Sequence, residues 1–270
     1  MRLATWNVNS LAVRLPHVLD WLAANPVDVL ALQELKLTDD KFPHDALAQA
    51  GYASVCFGQK TYNGVALISR TPAQDVVRNI PGFEDEMARV ISARFAWPHD
   101  EKNNSDAGIP DATLRVIGAY FPNGQAPDSD KFVYKLRWLS ALHDWVRQEL
   151  ACHPNLVLMG DFNIAPTDAD SFDPEGLRGT IHHTEAERAH FQALLDLGLV
   201  DAFRMFEQPA RAFSWWDYRN LAFRKNQGLR IDHVLVSPAL AAHASACTID
   251  KAPRKLERPS DHAPVVLTLS

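Results

Sequence analysis

Leu156-Val157-Leu158-Met159-Gly160-Asp161-Phe162-Asn163 runs through four apolar residues and a glycine to an acid, with an amide two positions on. A short apolar run bounded by turn residues reads as a buried strand. Asp161 then stands where that strand meets a loop. Near the end of the chain the pattern recurs: Ser260-Asp261-His262-Ala263-Pro264 leads into the apolar run 264–269. Taken singly, each motif is also a common turn, because Asp and Asn side chains bond nearby backbone N–H groups.

Working outward, short apolar runs alternate with helical patterns along the whole chain. Strands are expected at 2–7, 28–33, 53–57, 64–69, 75–79, 89–95, 113–120, 155–160, 230–236 and 264–269, from their β-branched content and Gly/Pro/Asn boundaries. Leu15, Val18, Leu19 and Leu22 recur at helical spacing and predict a helix over 12–24, with Ser10 as its cap and Pro16 in its first turn. A second helix, 130–150, carries Phe132, Leu136, Leu139, Leu142 and Val146 on one side, and a third, 185–197, presents Phe191, Leu194, Leu195 and Leu197. Ten strands and few helices in one chain point to two β-sheets packed face to face with helices outside. The stretch from His99 to Asp111, rich in Asp, Asn, Gly and Pro, reads as a mobile surface loop over about 99–112. No repeat or domain boundary interrupts the chain, so a single domain over 1–270 is expected.

Composition bounds the rest. A chain of 270 residues that is 47% hydrophobic can bury a large core as one domain. No apolar run approaches the roughly 18 residues that span a bilayer, and the N-terminus opens directly in a strand-like run, without a charged-then-apolar leader. A cytoplasmic protein with no membrane partner is therefore expected. Cys56, Cys152 and Cys247 are scattered and odd in number, which argues against a disulfide framework or zinc site. The formal net charge of −6 argues against a general nucleic-acid coat protein, because phosphate contacts carry most of such affinity. It leaves room for an enzyme with acidic ligands and a local basic rim. Arg219, Arg224, Lys225 and Arg230 are candidates for that rim, as are Lys251, Arg254, Lys255 and Arg258, a group that reads equally as a solvated charge run.

Further motifs lie beside the first two. Trp6-Asn7-Val8-Asn9-Ser10 ends the first apolar stretch and Leu32-Gln33-Glu34-Leu35-Lys36 the second. Then follow Tyr62-Asn63-Gly64-Val65-Ala66, Ala119-Tyr120-Phe121-Pro122-Asn123-Gly124, Phe213-Ser214-Trp215-Trp216-Asp217-Tyr218-Arg219 and Gly228-Leu229-Arg230-Ile231-Asp232-His233. In this order the set resembles the exonuclease III family of DNA-repair nucleases, within the endonuclease/exonuclease/phosphatase superfamily, from residue 1 to 270 with a gap near 99–112. The resemblance implies a four-layer α/β sandwich, two mixed sheets flanked by helices, and a Mg²⁺-dependent phosphodiesterase, with Mn²⁺ as a second usable ion. Its substrate would be double-stranded DNA bearing an abasic site or a 3′ end. A dedicated 3′-phosphatase or 3′→5′ exonuclease with weak abasic incision is the alternative. A non-catalytic DNA-binding or scaffold protein is a further one, weakened because Glu34, Asp161 and His262 are all present.

Cutting a phosphodiester needs an in-line nucleophile, charge compensation on the phosphoryl oxygens and help for the leaving oxygen, and a hard divalent cation supplies much of this. Glu34 closes an apolar run in which a lone buried carboxylate would be costly, and the resemblance makes it the metal ligand. Asn7, Asn9 and Asp261 would complete the metal neighbourhood, although some family members carry Asp where this chain has Asn9. His262 would contact the scissile phosphate, oriented by Asp232, much as an Asp orients the His of a hydrolytic triad. Asp161 would activate the attacking water, Asn163 would hold that water or the phosphate, and Tyr120 would offer its phenol to the phosphate or the leaving oxygen. His233 reads as a structural histidine.

DNA contacts are expected from Lys36, Tyr62, Asn63, Asn123 and Arg219, and Trp215, Leu229 and Ile231 align with a small apolar pocket for a flipped, baseless sugar. His182 and His183 fall where family members project a loop toward DNA. Two bulky side chains there would favour a frayed 3′ end over an internal abasic sugar; exposed loop histidines without a role are the alternative reading. Nothing indicates a stable oligomer, and the short N-terminus lacks the extension of some eukaryotic relatives, which points to a bacterial source.

Overall fold

The computed structural model describes residues 1–97 and 113–270, so the loop expected over 99–112 lies outside the described residues. Strands β1 (Arg2–Asn7), β2 (Val29–Gln33), β3 (Ala53–Phe57) and β4 (Val65–Ser69) alternate with helices α1 (Leu11–Ala24) and α2 (His44–Gln49). Next come β5 (Gln74–Arg78), β6 (Val90–Ala96), β7 (Thr113–Tyr120), helix α3 (Asp130–Cys152), β8 (Leu156–Asp161) and helix α4 (Glu185–Asp196). The chain closes with β9 (Val200–Asp201), short α5 (Ala222–Lys225), β10 (Asp232–Val236), short α6 (Pro238–Ala241), β11 (Ala244–Ile249) and β12 (Val265–Leu269).

Two six-stranded sheets result, ordered β11-β12-β1-β2-β4-β3 and β5-β6-β7-β8-β10-β9. Side chains alternate between faces along a strand, and the core sorts accordingly. Leu3, Val29, Ala31 and Leu67 of one sheet meet Ile91, Val116, Val157 and Val234 of the other in a shared core. The opposite faces are covered too: Ala4, Trp6, Leu30 and Leu32 by Val18, Trp21 and Leu22 of α1, and Ile117, Leu158 and Leu235 by Trp138, Leu142 and Phe191 of α3 and α4. That double coverage makes the central strands read as continuous apolar runs. The four-layer α/β sandwich follows.

Strand direction decides where chemistry can collect. Each sheet contains one parallel pair, β1 with β2 and β7 with β8, joined by α1 and α3. Antiparallel partners then bring the start of β10 and the start of β12 to the same end, since Asp232 lies opposite Asp161 and Val265 opposite Thr5. Ligand sites in α/β proteins favour the carboxyl ends of such parallel strands.

Three expectations need correction. Ser10 adopts φ 90° and makes no side-chain cap, and α1 begins at Leu11, so Pro16 sits in the second turn. Helix entry is set instead by backbone bonds from Ser10 N and Leu11 N to Glu34 O and Leu35 O. β9 and β11 are strands that the apolar pattern did not mark: one is two residues long, and Ala-Ser-Ala-Cys-Thr-Ile at a sheet edge is small and half exposed. Arg230 and Arg254 belong to no rim. Arg230 is buried between Asp170 and Asp201, and Arg254 is buried against Trp216 and Phe223.

Candidate active site

Asn7 ends β1 and Glu34 follows β2 in the first sheet, while Tyr120 ends β7 and Asp161 ends β8 in the second. Asn7 spans the two sheets, its Nδ2 donating to Glu34 Oε1 at 2.8 Å and to Asp161 Oδ2 at 2.9 Å. The backbone here is specialised. Glu34, Asn9 and Asn163 all adopt left-handed φ, between 44° and 54°. At Gly160 a Cβ would lie 1.8 Å from Ala119 O, so only glycine lets β8 approach β7 directly before Asp161.

His262 completes the cluster. Its Nδ1 lies 2.9 Å from Asp232 Oδ2 and its Nε2 3.7 Å from Asp161 Oδ2. Burial opposes a charged imidazole, but the carboxylates of Asp232 and Asp161 outweigh it and raise His262 above the ordinary histidine range, favouring its protonated form. Asp161 is driven upward by burial, with Asp232 and Glu34 adding to the shift, against the pull of His262 and the Asn7 amide. Burial likewise raises Tyr120, helped by Glu34 and Asp161, so its phenol keeps its proton beside Glu34. Neighbouring serines brace the group: Ser214 Oγ accepts from the N–H of Ile231 and Asp232, and Ser260 Oγ donates to Asn7 O and accepts from His262 N.

Among the described residues, Glu34, Asp161 and His262 place ligand atoms within 4.8 Å of one another. The two carboxylates suit a hard cation, whereas imidazole nitrogen suits softer metals. Asn9 and Asp261 form a hydrogen-bonded pair beside the cluster, and Asn9 N donates to Asn7 Oδ1 at 2.9 Å. Asn9 Nδ2 donates to Asp261 Oδ1 at 2.9 Å, Trp215 Nε1 donates to Asp261 Oδ2 at 3.0 Å, and Lys36 donates to Asn9 Oδ1. Burial would raise Asp261, yet His262 and these two donors hold it below the ordinary carboxylate range. Lys36 also pairs with Glu34 at 2.9 Å.

Around this centre, Asn163 N donates to Asp161 Oδ1, and its side chain links Asn123 to Phe121 O. Leu229, Ile231 and the half-buried Trp215 form an apolar group with Ala165 and Phe172, while Phe213 and Trp216 lie in the core. Tyr62 is exposed and lines, with Asn63, Arg89, Tyr120 and Asn123, a cavity of about 550 Å³ next to the centre. His182 Nδ1 lies 2.6 Å from Asn163 O, whereas His183 is buried and turned to Ser171. Arg219 is exposed and pairs with Asp217. His233 is buried, its Nδ1 beside the Arg230 guanidinium and its Nε2 beside Ile164 O.

One participant escaped the sequence reading. Lys135 is fully buried and donates to Asn163 O at 2.8 Å. Its signal was a lysine three residues after Phe132 and four before Leu139, inside the apolar stripe of a helix.

The endonuclease/exonuclease/phosphatase family model matches residues 4–262. Exodeoxyribonuclease III of Haemophilus influenzae is 35% identical, over 98% of both chains. The NExo 3′ phosphatase from Neisseria, solved as an aspartate-to-asparagine variant bound to product DNA hairpin, is 49% identical with a TM-score of 0.93, covering 100% of this chain and 99% of that one. An AP endonuclease from Archaeoglobus fulgidus is 33% identical, with a TM-score of 0.89 and coverage of 100% and 99%. The chain belongs to the endonuclease/exonuclease/phosphatase family of metal-dependent hydrolases. Within it, the full-length matches make it a nuclease of the exodeoxyribonuclease III type.

Proposed function

We propose that this protein is a Mg²⁺-dependent DNA-repair phosphodiesterase that breaks the bond between phosphorus and a 3′ oxygen in double-stranded DNA, at abasic sites and at blocked or free 3′ ends. The observation that carries the reading is the His262 ring held between Asp232 and Asp161, next to Glu34. Abasic incision, 3′-phosphate removal and 3′→5′ trimming all break the same bond, so one centre serves each. Glu34, with Asn7, Asn9 and Asp261 near it, would hold the ion; Mn²⁺ would serve in place of Mg²⁺. When bound, such a cation compensates charge on the phosphoryl oxygens and at the departing oxygen.

The chain's own groups divide the remaining work. His262, whose protonated form Asp232 and Asp161 favour, is assigned as donor to a phosphoryl oxygen. Asp161 then takes the proton of the attacking water, and Asn163, anchored by its N–H to Asp161, holds that water in line. Tyr120, kept neutral, donates to the phosphate. Asn63 and Asn123 meet the DNA backbone. Relatives from Haemophilus and Neisseria favour a bacterial, cytoplasmic setting.

A second reading, 3′-end processing with weak abasic incision, is favoured by His182. Its Nδ1–H donates to Asn163 O, which leaves Nε2 toward Asn123 at 3.5 Å and the ring standing beside the phosphate-binding amides. Both readings are tested on one duplex with a central abasic analogue and another with a 3′-phosphate, each with Mg²⁺ and with chelator. Incision of the first supports the broad reading. Phosphate release without incision supports the narrow one, and His182→Gly then raises incision relative to release. No reaction with Mg²⁺ or Mn²⁺ refutes both.

A further inference from the structure

Lys135 and Glu187 form an ion pair whose side chains are entirely buried, one on α3 and the other in the first turn of α4. A buried pair of this kind adds little net stability over apolar side chains of similar volume. What it does supply is a set of directed hydrogen bonds. Lys135 Nζ donates to Asn163 O at 2.8 Å and to Asn123 O at 3.2 Å, as well as to Glu187 Oε1. Glu187 Oε1 also accepts from His182 N at 3.1 Å, and its Oε2 accepts from both N and Oγ1 of Thr184.

Three loops therefore converge on two side chains that never reach the site. The loop after β7 brings Asn123, the loop after β8 brings Asn163, and the segment before α4 brings His182. The stem of Lys135 supports the first loop directly: at Gly124, with φ 88°, an added Cβ would lie 3.0 Å from Lys135 Cδ and 2.9 Å from Ile181 Cδ1. Asn163 is the residue most exposed to any loss. It sits at φ 51°, its carbonyl accepts from both Lys135 and His182, and its N–H fixes Asp161 Oδ1.

We infer that Lys135 and Glu187 are positioning residues: the pair sets Asn163 against Asp161 and locks His182 between Asn123 and Asn163, and so governs both turnover and the choice between 3′ ends and abasic sites. The inference rests on the proposed function for its substrates. Lys135→Met alone strands a buried carboxylate and can cost the fold, so the decisive variant is Lys135→Met with Glu187→Gln, checked for a wild-type circular dichroism spectrum and a single thermal transition.

With misplacement of about 1 Å able to cost about 100-fold in rate, the double variant is expected to lose roughly 10- to 100-fold in kcat for 3′-phosphate release, with KM little changed. The ratio of abasic incision to phosphate release should rise, and that rise should vanish when the variant is made in a His182→Gly background. A folded double variant with kcat and ratio both within about twofold of wild type overturns the inference. Wild type is assayed beside it on both substrates, so an inert wild type refutes the reading of function instead. Amide exchange at His182, whose N–H Glu187 holds, then still decides the clamp in Lys135→Met with Glu187→Leu, which leaves no acceptor: protection unchanged overturns it, and protection lost supports it.

Discussion

His262 Nδ1 lies 2.9 Å from Asp232 Oδ2, and the two residues enter the site from different sheets, one just ahead of β12 and the other at the start of β10. An acid in this position fixes the tautomer of the ring and stabilises its charged form. Replacing Asp232 by Asn removes the charge and keeps the shape. Steady-state kinetics on a 3′-phosphate duplex should show kcat down by about 10³- to 10⁴-fold, by analogy with hydrolytic triads. A loss under about tenfold would remove Asp232 from this role.

Asp161→Asn tests the base directly. Turnover should fall below detection, while binding of a product duplex, followed by fluorescence anisotropy, stays within a few-fold of wild type. Retained turnover would pass the base role to another group.

Glu34→Gln separates metal from scaffold. Asn7 can still hydrogen-bond the new amide, so the loop should keep its place. The affinity for Mn²⁺, read by electron paramagnetic resonance of the free ion, should weaken by at least about 10- to 100-fold, the range seen when even outer partners of a metal are lost. Equal affinity would place the ion elsewhere.

Acid should destabilise the fold through His233. Burial, with the Arg230 guanidinium beside it, lowers this histidine to about 4. Between about pH 6.5, where the unfolded chain takes up a proton, and pH 4, His233 binds less of a proton in the native state than in the unfolded one. Its contribution to stability is therefore complete above that window and declines through it as pH falls, by up to about 1.4 kcal/mol per pH unit. Below it, Asp170 adds to the loss. Burial works to raise this carboxyl, but Arg230 and Arg204 hold it at about 2, so its contribution, present above the ordinary carboxylate range, goes as pH falls toward 2. Burial also lowers His182 to about 3, which adds in the same sense, and raises Asp161 to about 7, which opposes. The His233 contribution is therefore read as the difference between thermal melts of wild type and His233→Gln, which keeps a donor and an acceptor, from pH 7 to pH 4, the variant declining less steeply.

At Gly160 any side chain meets the backbone of β7. Gly160→Ala should disrupt the pairing that carries Tyr120 and Asp161, reducing both melting temperature and activity. An alanine variant with wild-type melting would show that the two strands can part without harm.

Much of this architecture was legible in the chain. The ten expected strands fall within two residues of observed ones at either end, because both faces of each sheet are covered and central strands become unbroken apolar runs. β11 stayed hidden for the opposite reason, since an edge strand of small residues gains its shape from β12 and leaves little apolar signal. The carboxylates and His262 were readable at strand ends. Lys135 and Ser214 were not singled out, because their contribution is a hydrogen bond to another residue's backbone, and no short motif encodes a contact between distant loops. Arg230 was misread for a related reason. A guanidinium looks like surface charge until Asp170 and Asp201, 60 and 29 residues away, fold around it.

The strand order has a consequence for synthesis. β12 lies between β11 and β1, so the first strand made waits for the last to be paired on that side, and His262 emerges only just before it. A polypeptide ending short of Val265 lacks a central strand of one sheet, and one ending short of His262 lacks the imidazole as well. A chain stopped before Val265 is thus expected to leave one side of β1 unpaired, and one stopped before His262 to be inactive as well.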